Sequence, residues 1–275
     1  MGIGRELALA WARRGASLVL SARSAGALEE VAKACEALGG KPTTVPGDVT
    51  TDAHREELIE RAGGLDVLVN NAGRGFYSPI AKIDLEEMRA MFELNVYAPL
   101  RLVQLALPAL EKSRGTVCML SSIAGVVAAP RYGAYAASKF ALEALSMSMR
   151  SELAASGIRV VVIRPGPVAT PFRQNATRAP GETGYDRPDP KAQRADEVAE
   201  MTVRAVERGT AVVETSASVI GAATAMRVED YYPQGRRFWV RLHEKGGKRH
   251  EMPCHHNLDA YLAAYIDAAG IAADK

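Results

Sequence analysis

Residues 65–73 read LDVLVNNAG, a short run that is apolar on both faces and stops at asparagine, alanine and glycine. A strand bounded by solvent on one side alternates apolar and polar residues, and this one does not, so both its faces are covered. Four more runs share the pattern: SLVLSAR at 17–23, TTVPGDV at 43–49, GTVCMLSS at 115–122 and IRVVVIRPG at 158–166. Each is followed by a stretch of helical periodicity. Strands covered on both faces and alternating with helices predict a parallel sheet, here a doubly wound α/β fold of Rossmann type. Ligands in such folds bind just beyond the carboxyl ends of the strands, so the residues that close each run are the candidates for chemistry.

The bulk properties agree with a folded enzyme-sized chain. With 275 residues, 48% of them hydrophobic, there is enough apolar material for an ordinary core. Lys and Arg total 34 against 32 Asp and Glu, and a net charge of +2 excludes a nucleic-acid or membrane surface spread over the whole molecule. The three cysteines, Cys35, Cys118 and Cys254, are scattered and form no paired framework. That usage, with no leader-like opening and no apolar run of spanning length, predicts a reduced, cytoplasmic setting.

Residues 171–194 are rich in proline, glycine and charge without apolar period, and predict a long surface loop over the strand ends. ADEVAEMTVRAVERG at 195–209 and TAVVE at 210–214 predict a last helix and strand. The character changes after Thr215. The remainder holds six of the sixteen aromatic residues and four of the five histidines. There RRFWVRLHE, a KGGK turn and RHEMP predict a β-hairpin, and NLDAYLAAYIDAAG predicts a helix with Leu258, Tyr261, Leu262, Tyr265 and Ile266 on one stripe. The expected division is therefore 1–215 and 216–275.

The most informative chemistry lies in YGAYAASKFAL, residues 132–142. Tyr135 and Lys139 are four apart, so on a helix they share a face. An ammonium there favours the phenolate and is expected to draw the tyrosine pKa below its usual value of about 10. Tyr135 then becomes a proton donor to a carbonyl or an acceptor from an alcohol. Ser121 and Ser122 end a strand upstream of that helix, where a hydroxyl reaches a substrate oxygen. Gly73 allows a ligand close to the backbone. Asn95, a polar residue in a helical pattern, is either a satisfied internal bridge or the holder of a water in a proton path.

These residues, in this order and spacing, resemble the short-chain dehydrogenase/reductase family over roughly residues 1–215. N-A-G at 71–73, Asn95, S-S-x-A-G at 121–125, Y-x-x-x-K at 135–139 and P-G-P-V-x-T at 165–170 carry the resemblance. It implies Tyr135 as the general acid/base, Lys139 on the nicotinamide ribose, Ser122 on the carbonyl and Asn95 holding a relay water. It places the cofactor against Asn71, Ala72, Gly73, Asp48, Val49, Pro165, Gly166, Val168 and Thr170, with Tyr135 and Lys139 at its nicotinamide end. Gly2, Ile3 and Gly4 match the second half of the family's phosphate loop, T-G-x-x-x-G-I-G, which runs into a helix whose N-terminus faces the pyrophosphate. The resemblance also implies that the family's first strand is missing, leaving two strand edges facing a gap. At the end of the second strand an acid would select NAD; the text reads Ser21-Ala22-Arg23, and Arg23 favours NADP over NAD. A small-molecule carbonyl or alcohol substrate and an oligomer of identical chains follow from the same resemblance, with no membrane partner.

The tail, roughly 219–275, resembles a piece of the catalytic domain of phage-integrase-type tyrosine recombinases, with Lys245 at the position of that family's hairpin lysine. Arg236, Arg237, Arg241, Lys245, Lys248 and Arg249 around Glu244 make a surface for a nucleic-acid backbone, the only nucleic-acid partner the chain offers. Catalysis is not expected from it, because Val219-Ile220 stands where the first catalytic arginine belongs and the later catalytic segments are absent. His243, His250, Cys254, His255 and His256 crowd into fourteen residues, but their order matches no familiar zinc spacing and no metal is expected. A non-catalytic fusion of a truncated reductase with this fragment, binding DNA weakly, is the alternative to an NADP-dependent oxidoreductase.

Overall fold

The computed structural model describes residues 2–183 and 189–216 in full, together with the backbone of strands at 231–234, 237–243 and 249–253. Two compact units divide at residue 215. In the first, the elements run α1 (Gly2–Ala12), β1 (Ser17–Ala22), α2 (Ala25–Glu36), β2 (Lys41–Pro46), α3 (Asp52–Ala62), β3 (Val67–Asn70), β4 (Phe76–Tyr77), α4 (Leu85–Phe92), α5 (Ala98–Ser113), β5 (Thr116–Leu120), α6 (Gly133–Glu152), β6 (Arg159–Arg164), β7 (Thr177–Arg178), α7 (Ala195–Arg208) and β8 (Val212–Glu214). Every apolar run quoted above is a strand, and the long strands pair in parallel.

Strand β5 shows why both faces are apolar. Its alternate residues point to opposite sides: Cys118 and Leu120 join Leu7 and Ala10 of α1 and Ala199, Val203 and Val206 of α7, while Val117 and Met119 join Val103, Ala106 and Leu110 of α5 and Leu142 and Met149 of α6. The centre of β5 and β6 has no exposed side chain, with Val117, Cys118, Met119, Val161 and Ile163 all at 0% exposure. Each such residue contributes about 1.5–3 kcal/mol by leaving water.

The doubly wound sheet is split. Strand order is β3-β5-β6-β8 in one sheet and β1-β2 in another, with no pairing between β1 and β3. The described part of the 171–194 stretch is more structured than composition predicted. Thr177–Arg178 pairs in parallel with Phe76–Tyr77, and Ala176 and Ala179 are buried, so backbone pairing to a distant segment orders what local propensity left open.

In the second unit β9 (Tyr231–Gln234), β10 (Arg237–His243) and β11 (Arg249–Pro253) form an antiparallel sheet of order β11-β10-β9. The expected hairpin is β10–β11, with Trp239 opposite Pro253 and His243 opposite Arg249. The predicted helix at 257–270, Lys245 and the Cys254, His255 and His256 group lie outside the described residues.

Candidate active site

Helix α6 delivers three ionisable groups at four-residue intervals, Tyr135, Lys139 and Glu143, on one face. All three are buried, at 6%, 5% and 6% exposure. The Lys139 ammonium donates to the carbonyl of Leu120 at 2.8 Å and stands 5.9 Å from the centre of the Tyr135 ring. Its effect on Tyr135 is not the one expected from spacing. Enclosure of the phenol pushes its pKa up to about 12, against a hydrogen bond from Ser122 that pulls it down. Enclosure likewise brings Lys139 down to about 8, with Glu143 opposing. Desolvation penalises each charged form more than the neighbours repay. At neutral pH the site therefore holds a protonated phenol beside an easily deprotonated ammonium.

Ser122 caps the short turn after β5, where its Oγ accepts from the Ala124 amide at 3.1 Å. The neighbouring Ser121 Oγ is buried without a partner among the described residues. Asn95 sits in a π-helical turn, Glu93–Tyr97, between α4 and α5, and is fully buried. Such single π turns favour functional sites. Its Oδ1 accepts from the Arg74 amide at 2.9 Å, and its Nδ2 donates to the Arg74 carbonyl and to Ser138 Oγ, each at 3.0 Å. The side chain makes an internal bridge, fixing the turn after β3 to α6. Gly73 lies at the centre: a β-carbon there would stand 3.2 Å from Asn95 Oδ1 and 3.7 Å from Lys139 Nζ.

The helix N-terminus is assembled beside these strand ends. Gly2, at φ +73°, has its open side 3.6 Å from Thr170 Cγ2, and a β-carbon on Gly4 would come 2.6 Å from Asn71 Nδ2. Side chains at either position would fill the space that α1 presents at the ends of β3 and β6. Ile3, between them, packs against the core cluster of β5 and β6. Pro165 O accepts from the Ile123 amide at 2.9 Å, Val168 O from the Thr170 amide at 2.8 Å, and Val168 bridges to Gln193. The segment Pro165, Gly166, Val168 and Thr170 is thereby held against the turn that carries Ser122.

At the other end, Asp48 Oδ1 accepts from Thr50 N at 2.9 Å and Thr50 Oγ1 at 2.8 Å, and these bonds, with Arg23 and His54 nearby, hold its carboxyl below the usual range. Val49 O accepts from Arg55 at 3.0 Å. Arg23 is exposed at the end of β1 with Asp48 in electrostatic reach, so a local acid shares its field. Ala72 is exposed between Asn71 and Gly73. A cradle of small residues at the helix terminus, a paired Tyr and Lys at one end and a fixed carboxylate with an exposed guanidinium at the other fit an extended dinucleotide.

Four features escaped sequence reasoning. Glu143 receives both Arg164 Nε and Nη2 at 3.0 Å, and Arg164 reaches Glu214 at 3.1 Å, tying α6 to β6 and β8. Ser138 anchors Asn95; its only signal was its place inside Y-x-x-x-K. Phe172 closes over Tyr135 with ring centres 5.7 Å apart. Finally, Glu182 holds both Lys82 at 3.6 Å and Arg131 at 3.1 Å, fastening the segment after β7 beside Tyr77 and Tyr132. None of these pairings has a sequence spacing that announces it.

Comparison with known proteins was consistent with this geometry. A family profile described as short chain dehydrogenase matches residues 1–181. The mouse protein named dehydrogenase/reductase SDR family member 7B is 33% identical over 216 residues, covering 74% of this chain and 67% of that one. The ketoacyl reductase HetN of Nostoc is 32% identical over 219 residues, covering 77% and 74%. Among solved structures, an alcohol dehydrogenase from the archaeon Thermococcus sibiricus complexed with 5-hydroxy-NADP superposes with a TM-score of 0.69 at 28% identity, over 78% of this chain and 92% of that one.

Proposed function

The chain belongs to the short-chain dehydrogenase family of NAD(P)-binding oxidoreductases, and on that premise we propose that it is an NADP-dependent enzyme interconverting a small-molecule carbonyl and its alcohol. The observation that carries the reading is the buried Tyr135–Lys139 face of α6, set against Ser122 and the open side of Gly73. The nicotinamide would supply or accept the hydride when bound. The protein's own residues handle the rest. Ser122 offers its hydroxyl to the substrate oxygen and orients the carbonyl. Tyr135, protonated at working pH, donates its proton as negative charge grows on that oxygen, and takes one back in the alcohol direction. Lys139, on the same face, stabilises the phenolate left behind and binds the ribose. Asn95 holds Arg74 and Ser138 in place and so fixes the approach past Gly73. Phe172 excludes water above Tyr135.

For cofactor choice the support is Arg23, with no acid at Ser21 or Ala22. Self-association is supported by Phe140 at 44% and Met147 at 61% exposure, seven apart on the outer side of α6; sedimentation or light scattering checks it. For the tail, weak binding to a nucleic-acid backbone by the β10–β11 hairpin rests on its basic sequence, and would show as DNA retention that vanishes steeply with salt.

The deciding experiment is Tyr135→Phe. Turnover of a carbonyl panel with NADPH should fall by about 10²–10⁴, with NADPH affinity retained. A variant that kept a tenth or more of the activity would remove Tyr135 from the proton path.

A further inference from the structure

A line of alternating charges runs from the edge strand β8 to the active site. Glu214 on β8 accepts from Arg164 on β6 at 3.1 Å, and Arg164 donates through Nε and Nη2 to the two oxygens of Glu143 on α6, each at 3.0 Å. Glu143 in turn lies four residues from Lys139, one helical turn away on the same face. Side-chain exposure falls along the line, from 27% at Glu214 to 19% at Arg164 and 7% at Glu143, and Lys139 at its end is buried. The oxidoreductase reading uses the last of these four groups and leaves the other three without a task.

Glu143 sits where the segments that carry the chemistry meet. A β-carbon at Gly125 would stand 2.9 Å from Glu143 Cγ and 3.2 Å from the Lys139 carbonyl oxygen, so the turn that begins at Ser122 lies directly on α6 between Lys139 and Glu143. Arg164 is followed at once by Pro165, whose carbonyl accepts from Ile123 of that same turn at 2.9 Å. One carboxylate therefore joins the helix of Tyr135 and Lys139, the turn of Ser122 and the start of the 165–170 segment. The other groups around the Lys139 ammonium carry no charge at neutral pH. They are the Leu120 carbonyl from β5, the Tyr135 phenol from its own helix, and Gly73 with the Asn95 amide beside it from the turns after β3 and α4. Among the described residues, the charge that opposes the effect of burial on Lys139 is that of Glu143.

We propose that Glu143 is a positioning residue of the reaction: its carboxylate, gripped by Arg164, keeps the Lys139 ammonium charged at working pH. This rests on the reading of Lys139 as the group that meets the ribose and the phenolate. Arg164 carries its proton at every working pH, and a grip through two nitrogens suits an ionised carboxylate. Glu214 braces Arg164 from the far side. Without a nearby negative charge, burial drives an ammonium toward its neutral form, and an opposite charge at close range is worth about one to three pH units against that drift. With Lys139 brought down to about 8, about nine-tenths of it is charged at pH 7, and a further fall of about one unit would leave about half. A neutral amine cannot stabilise a phenolate, so the carboxylate decides how much of the enzyme is competent.

The test reads Lys139 directly. The full chain is isotope-labelled at lysine Cε, the Lys139 signal is assigned by its absence from Lys139→Met, and its titration is followed by NMR without cofactor. In Glu143→Gln the Lys139 midpoint should fall by about one unit below that of the wild type. A purely structural role predicts the opposite sign, because loosened packing admits water and moves the midpoint up toward 10.5. The double variant Glu143→Gln/Arg164→Gln removes the guanidinium that the single variant leaves without its carboxylate, so it keeps the test open where the single variant does not fold, and its midpoint should also fall. A midpoint at or above the wild-type value in either variant would overturn the proposal. In a parallel arm, NADPH affinity read by protein fluorescence should weaken at correspondingly lower pH in Glu143→Gln. A midpoint that falls while the affinity profile stays in place upholds the role of Glu143 and counts against Lys139 as the ribose ligand, so failure of the oxidoreductase reading is told apart from failure here.

Discussion

Replacing Lys139 with methionine should alter the pH dependence of stability in a way that isolates one buried charge. Burial lowers the Lys139 pKa from 10.5 to about 8 in the folded protein. Between those values the unfolded chain holds a proton that the folded chain has released, so stability rises with pH across that window. The contribution is present above the unfolded value and is lost as pH falls through the folded one. At 1.36 kcal/mol per unit, about two pH units from 8 to 10 amount to roughly 3 kcal/mol. Cys118 and Tyr135, both pushed up to about 12, oppose this in the wild type, since each loses stability as pH climbs above its unfolded value. They are unchanged in Lys139→Met, so the difference between the two proteins carries the lysine term alone. Below pH 8 the variant sheds the cost of the buried ammonium but leaves the Leu120 carbonyl without its donor, which costs about 1–3 kcal/mol. The absolute values at pH 7 should therefore lie close together, and the slope is the discriminating quantity. The assay is urea unfolding at pH 7, 8, 9 and 10 in a Trp239→Phe background, with Trp11 reporting the 1–215 unit. The wild type should gain about 2–3 kcal/mol relative to the variant between pH 8 and 10. A difference flat in pH would refute the claim that Lys139 is held against its charged form.

Other outcomes are as specific. Glu143→Gln keeps the shape of the side chain but removes the charge that Arg164 meets with two nitrogens at 3.0 Å; breaking a buried pair from one side should cost about 3 kcal/mol by urea midpoint, and an unchanged midpoint would show the network to be energetically idle. Gly115→Ala would place a β-carbon 2.6 Å from the Asp66 carbonyl and 2.8 Å from Leu110 Cδ2; the backbone cannot yield cheaply, so a loss of about 1–3 kcal/mol is expected, and a neutral result would mean the β3–β5 junction is looser than drawn. Arg23→Ala should erase most of an NADPH over NADH preference of about 1.5–3 kcal/mol, read as the ratio of the two dissociation constants; a ratio unaffected by the change would leave Arg23 as a solvated loop residue.

What sequence alone determined was whatever depends on local period. Apolar runs covered on both faces, alternating with helices, dictated a parallel α/β sheet, because residue alternation in a strand and the helical turn are properties of neighbouring residues. The four-residue spacing likewise put Tyr135 and Lys139 on one face of α6, and the tail hairpin followed from two β-rich runs around a glycine turn. The tertiary structure decided what depends on enclosure and on partners far apart in the chain. Spacing predicted that Lys139 would lower the Tyr135 pKa; packing under Phe172 and with Phe76 and Met91 made desolvation the larger effect and reversed the sign. The sequence did not name the partners of Asn95, and the fold supplies them as Arg74 and Ser138. Arg164 meets Glu143 and Glu214 across twenty-one and fifty residues of chain, and residues 177–178 find β4 a hundred residues away, distances over which no periodicity carries information. The split between β1 and β3 is of the same kind, since a strand's sequence states that it needs neighbours and only the assembled sheet shows which of its edges has one.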